Sequence, residues 1–179
     1  MDFNGRLVLI ITLSSLFCVN AAPLTVIPSS VPPELTKLCR EAENPRLCVR
    51  IILRTLHGRL DPYQVLVTEI GITARYTRRA LRMMDSLMAQ PNNAKISDSL
   101  SYCKEQYGYI LDSIQTAQGA LATKATYDAR SSLGAVISYQ QTCADTFKES
   151  GADLPFVRES KHISQLAGNC LDVMAALPM

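Results

Sequence analysis

The 179-residue chain has two histidines, His57 and His162, and no HExxH, Cys-x-x-Cys, Gly-x-Ser-x-Gly or glycine-rich phosphate-loop motif. Those absences remove the usual metal, redox, acyl-transfer and nucleotide chemistries, so no cofactor and no enzymatic activity is expected. No Asn-x-Ser/Thr sequon is present either, so N-glycosylation is not expected. Neither sign of charge dominates: 18 Lys and Arg stand against 16 Asp and Glu, a net charge of +2. So mild a balance gives no reason to invoke nucleic acid. Beyond residue 22 no run is long and apolar enough for a membrane anchor. No segment alternates apolar and polar residues with period two, which argues against half-buried strands.

What is present begins with an apolar leader. Residues 1–22 read as a secretory signal, with Arg6 offset by Asp2, an apolar run over 7–19, and small residues for cleavage after Ala21 or Ala22. Thirteen residues rise about 20 Å as a helix, too short to span a bilayer comfortably. The expectation is a soluble, secreted, monomeric product starting near residue 23, long enough for one domain with a real core. Cys18 leaves with the leader and five cysteines remain.

Residues 23–33 hold four prolines and read as an extended lead-in. Residues 34–58 read as a short helical hairpin, with Asn44 as N-cap and Pro45 at the first helical position of its second arm. Over 61–179 four longer segments follow the helical period. The first opens at Asp61-Pro62 and aligns Leu66, Ile70, Thr77 and Met84. The second covers about 97–122 with Leu100, Cys103, Tyr107 and Ile110 in line. The third covers about 126–150, stopped by Gly151, and the fourth about 156–177. The fold class is therefore all-α: an antiparallel up-down four-helix bundle with an N-terminal helical hairpin extension. Each bundle helix has an interior glycine, either tolerated at about 1 kcal/mol relative to alanine or marking close approach to a neighbour.

Five cysteines allow many pairings. Cys39 and Cys48, nine apart around Asn44-Pro45, are the favoured short pair. Cys103 and Cys143 are equidistant from the break near 123, as neighbours in a helical hairpin must be. Cys143 and Cys170 are also roughly symmetric about the turn near 151–155. Pattern leans toward Cys103 with Cys143, because Cys170 sits in the middle of its apolar stripe. That position also makes Cys170 a buried thiol rather than a nucleophile.

Two further clusters stand out. Arg75, Arg78, Arg79 and Arg82 recur at helical spacing, opposite the apolar face of the first bundle helix. The ordinary reading is a solvated face; the sharper one is a polyanion-binding stripe for acidic pectin or an acidic partner surface. Tyr102, Tyr107, Tyr109, Met83, Met84 and Met88 could instead line a small-molecule cavity within the bundle, although such residues at helical spacing are ordinary packing.

The strings LCREAENPRLC (38–48), YCKEQYGYILDSI (102–114) and TYDARSSLGAVISYQQTCADTF (126–147), together with the ending ISQLAGNCLDVMAAL, resemble the plant pectin methylesterase and invertase inhibitors. The resemblance implies disulfides Cys39–Cys48 and Cys103–Cys143 with Cys170 unpaired. It also implies a protein of the cell-wall space (apoplast) that performs no chemistry and covers the active-site cleft of an enzyme. Invertase inhibitors carry a Pro-Lys-Phe motif near the second inter-helix turn of the bundle. Here that region reads Ala122-Thr123-Lys124-Ala125-Thr126-Tyr127, so the resemblance points to pectin methylesterase as partner, with acid invertase as the alternative. By similarity, the enzyme-contacting positions are Glu105, Asp112, Thr142 and Asp145. Glu105 and Asp112, seven apart, share a face directed away from the core stripe. For the carboxylates the plainer reading is a solvated surface, and for Thr142 a hydroxyl bonded to its own helix. Tyr109 stands where the family has an acidic residue.

Overall fold

The computed structural model describes residues 31–40, 42–55, 60–91 and 96–175. The leader with Cys18, the lead-in as far as residue 30, His57 within 56–59, the inter-helix break at 92–95 and Leu177 lie outside the described residues. Six helices follow one another: α1 (Pro33–Cys39), α2 (Pro45–Thr55), α3 (Pro62–Met88), α4 (Ser97–Ala122), α5 (Thr126–Glu149) and α6 (Val157–Ala175). Among the described residues there is no strand. The first arm of the hairpin starts within the proline-rich stretch, with Pro33 at its first position.

Local chemistry sets the helix ends. The Asp61 carboxylate accepts the Tyr63 N–H at 3.1 Å ahead of α3. The Asn44 side chain accepts the Leu47 N–H at 3.0 Å ahead of α2, and both helices open on a proline, whose missing N–H is harmless there. At the end of α5, Gly151 adopts φ 66°, its N–H reaches Lys148 O at 3.1 Å, and the Ala152 N–H reaches Phe147 O at 3.0 Å. This pair of bonds satisfies carbonyls the helix would otherwise leave bare. The same motif ends α4, through Lys124 N–H to Leu121 O at 3.1 Å and Ala125 N–H to Ala120 O at 2.8 Å. There the left-handed position is filled by Lys124 at φ 59°, which costs about 1 kcal/mol for a residue with a Cβ.

Helices α3 to α6 form a closed ring, each packed against its two neighbours, with α4 and α5 the most intimate pair. Short connections make successive members antiparallel. Their apolar stripes meet in one core in which Leu66, Ile70, Tyr107, Ile110, Leu133 and Ile163 are buried. Phe156, just ahead of α6, fits edge-on between Tyr107 and Phe147, with ring centroids 5.4 and 6.0 Å away. Disulfides join Cys39 to Cys48 and Cys103 to Cys143, the latter with Cα atoms 4.8 Å apart. Cys170 is free and buried.

The hairpin is attached differently. Asn169 on α6 accepts the Asn44 N–H on Oδ1 at 2.9 Å and donates through Nδ2 to Asn44 O and to Glu69 Oε1, each at 3.5 Å. Asp172 accepts the Glu43 N–H at 2.6 Å. The Glu43 side chain lies over Gly168, where a Cβ would meet its carboxylate; at the other interior helix glycines a Cβ meets open space. Glu69 is fully buried on α3. Burial pushes its carboxyl up to about 7, against the opposing pull of the Asn169 amide and the Cys170 thiol. The thiol, whose sulfur lies 3.7 Å from Glu69 Oε2, is raised well above its ordinary value, by burial first and then by the neighbouring carboxylate.

Candidate protein-docking face

The outer face of α4 and α5 gathers most of the residues singled out for partner binding. Antiparallel pairing around the turn at 123–125, locked by Cys103–Cys143, puts the two helices in fixed register. Thr142 and Asp145 on α5 line one open cleft of about 470 Å³ with Tyr102 of α4, Thr146 and Glu149. Glu105 lies one turn along α4 from Tyr102. Asp112 lies about 10 Å farther along the axis, so it shares the stripe without sharing the cleft. All four residues are exposed. The Thr142 hydroxyl donates to Ser138 O at 2.9 Å, so it faces the cleft already engaged with its own helix.

Aromatic rings make this face unlike a plain solvated surface. Tyr102 and Tyr109 are 41% and 42% exposed. The Tyr109 hydroxyl donates to Glu105 Oε1 at 2.8 Å, and its ring centroid is 5.3 Å from that of Tyr139 on α5. The bonded Glu105 carboxylate raises the phenol's pKa, first through the hydrogen bond and then through its charge. The tyrosine at 109 therefore orients the acidic side chain of Glu105. Lys104, the nearest cation in sequence, turns the other way and pairs with Asp85 of α3 at 2.6 Å. Glu105, Asp112, Asp145 and Glu149 thus leave the face acidic as well as aromatic. The tyrosines were visible in the sequence as helical-spacing residues; the structure separates them, burying Tyr107 and leaving Tyr102 and Tyr109 exposed. The same split dissolves the cavity reading, because Met84 and Tyr107 belong to the core and Met83 and Met88 pack at its edge.

Of the arginine stripe, Arg75, Arg79 and Arg82 line a groove between α2 and α3, and Arg78 lies outside that lining. Arg79 Nε is 3.0 Å from Glu159 Oε1, which Arg158 Nη2 also meets at 3.0 Å. Burial pushes the Glu159 carboxyl up, but the Arg158 hydrogen bond and the charges of Arg158 and Arg79 outweigh it and hold the group below the usual carboxylate range. Among the described residues no three His, Cys, Asp or Glu side chains converge as metal ligands. No described helix is long and apolar enough to cross a membrane.

Comparison with known proteins agrees with the helical-bundle fold. The family model for plant invertase/pectin methylesterase inhibitors matches residues 33–173. A curated Arabidopsis thaliana protein described as a probable pectinesterase/pectinesterase inhibitor is 21% identical over 118 residues, covering 62% of this chain. The match spans only 18% of that relative's length. Two crystal structures share the fold. One, of a pectin methylesterase inhibitor from Arabidopsis thaliana, has a TM-score of 0.64 and 21% identity, covering 86% of this chain and 99% of its own. The other, a mutant form of an Arabidopsis pectin methylesterase inhibitor, has a TM-score of 0.70 and 20% identity, covering 81% and 97%.

Proposed function

The chain belongs to the plant invertase/pectin methylesterase inhibitor family, and from that premise we propose that it is a secreted, monomeric inhibitor of pectin methylesterase in the cell-wall space. It is a non-catalytic inhibitor protein. In this reading the α4–α5 face docks near 1:1 over the enzyme's substrate cleft and so lowers pectin de-esterification. The observation that carries it is the joining of exposed tyrosines and carboxylates on one covalently stapled helix pair. Tyrosine is enriched among residues that dominate binding energy, because it buries a large area at small entropic cost. A preorganised surface also avoids the ordering cost that a flexible loop would bring to the complex.

Acid invertase is the second reading. It is favoured by the α4–α5 turn, which presents Lys124 in a left-handed conformation three residues before Tyr127, a ring 82% exposed. The deciding experiment titrates the oxidised mature protein into a plant pectin methylesterase and, in parallel, an acid invertase. Loss of methylesterase activity at near-equimolar ratio with invertase untouched is the expected result. The converse would transfer the site to the turn, and activity retained by both enzymes would overturn the inhibitor reading.

A further inference from the structure

The groove on the far side of the bundle has a chemistry of its own. It encloses about 460 Å³ between α2 and α3. Arg50 and Arg54 form one wall, one helical turn apart on α2, and Arg75, Arg79 and Arg82 form the other. Leu47 and Ile72 supply an apolar floor, buried with Leu166 in a small cluster separate from the main core. At one end Tyr76 stacks on His162 of α6, with centroids 4.6 Å apart and planes 20° from parallel. The His162 Nδ1 is engaged with Arg158 O at 2.7 Å.

Compensation is nearly absent. Among the described residues, Arg79 is the one of these five guanidinium groups that is paired, with Glu159. Among the described residues Arg50, Arg54, Arg75 and Arg82 make no ion pair, and no carboxylate lines the groove. The whole chain carries a net charge of only +2, so this concentration is local and stands opposite the acidic α4–α5 face. A concave site of one sign beside apolar walls focuses potential toward an oppositely charged ligand.

We propose that this groove binds an acidic oligosaccharide, a polyuronate with one carboxylate per sugar ring. Guanidinium forks match carboxylates with two parallel hydrogen bonds. Arg75, Arg79 and Arg82 ascend about 10 Å along α3 at roughly one cation per turn, a ladder suited to a short anionic chain. The apolar floor accepts the C–H faces of sugar rings. Single-stranded nucleic acid is disfavoured, because it relies on open aromatic faces for base stacking and Tyr76 is already occupied by His162 and the floor. The groove lies away from the docking face, so the inference does not depend on enzyme inhibition.

The test uses the oxidised mature protein without any enzyme. Binding of an oligogalacturonate, its fully methyl-esterified counterpart and a single-stranded oligonucleotide is measured by calorimetry at low and high salt. The free acid binds and the ester does not, and affinity falls as salt screens the contacts. Replacing Arg50, Arg54, Arg75 and Arg82 with glutamine weakens binding by about tenfold or more. R130Q, on exposed α5, leaves binding unchanged, and unaltered melting temperatures show that each variant is folded. Absence of binding, equal binding of the ester, tighter binding of the oligonucleotide, or an equal loss in R130Q would each overturn the proposal.

Discussion

On the α4–α5 side, two long helices meet through apolar side chains and one sulfur–sulfur bond. The α1–α2 hairpin also sends apolar side chains into the core, Leu35, Val49 and Ile52 among them, but adds amide bonds to α6 and a nearly dry carboxylate on α3. The first side keeps its carboxylates and two tyrosines outward, exposed to solvent. The second places polar groups inward, so its attachment responds to the proton. A bundle of one fold thus holds a stapled acidic, aromatic face on one side and, on the other, an arginine-lined groove beside a buried carboxylate. Which side is adjusted by conditions follows from where the ionisable groups are buried.

The largest break in that comparison comes from the staples. Removing Cys103–Cys143 as a double alanine variant should cost about 4 kcal/mol in the chain-entropy view, against about 2.5–3 kcal/mol for Cys39–Cys48, because the loops are 40 and 9 residues long. Urea unfolding midpoints would rank them. Inhibition should fail with the first variant at temperatures where the second still inhibits; the reverse order would place the docking face on the hairpin.

Next in size is Glu69. The unfolded chain ionises it near 4.5 and the fold near 7, so between those values the native state holds the extra proton. Stability is then full below about pH 4.5 and falls as pH rises to about 7, by roughly 3 kcal/mol. E69Q should flatten that slope in unfolding experiments across the window. Glu159, held low, acts with opposite sign but only at more acidic pH, so it does not mask the effect. A slope that survives in E69Q would assign the sensitivity elsewhere.

Smaller still are the effects at the exposed tyrosines of α4. Y102A and Y109A should each weaken inhibition by about tenfold, with melting temperatures nearly unchanged because both rings are largely outside the core. Inhibition constants equal to wild type would move the interface off this face. The smallest effect is at the turn: K124G should relieve the left-handed strain and raise stability by about 1 kcal/mol, seen as a rise of about 2–4 °C in Tm. Unchanged methylesterase inhibition in K124G would separate the turn from the face.

Much of the frame was legible in the residues. Asn44-Pro45, Asp61-Pro62 and Gly151 mark helix ends by local chemistry, and the three-and-four spacing of apolar residues traces α3 to α6. What stayed hidden depends on distant partners. Glu69 reads as a surface charge until Asn169 and Cys170, a hundred residues later, are placed beside it. The only sequence signal was its position between Leu66 and Thr73 on the buried arc of α3. Arg50 and Arg54 gave no hint of joining the α3 arginines, because that meeting depends on the angle at which the hairpin docks. Gly168 resembled the other helix glycines until the Glu43 side chain was seen lying over it.

The three-residue turn at 123–125 also sets an order in time. Closing a short helical hairpin takes microseconds, whereas forming a disulfide takes seconds to hours. Packing along α4 and α5 therefore selects the register long before oxidation, and Cys103 meets Cys143 only in a correctly aligned pair. A slip of one residue rotates a helix by about 100° and carries one sulfur out of reach of the other. The bond then seals a register that packing has already set.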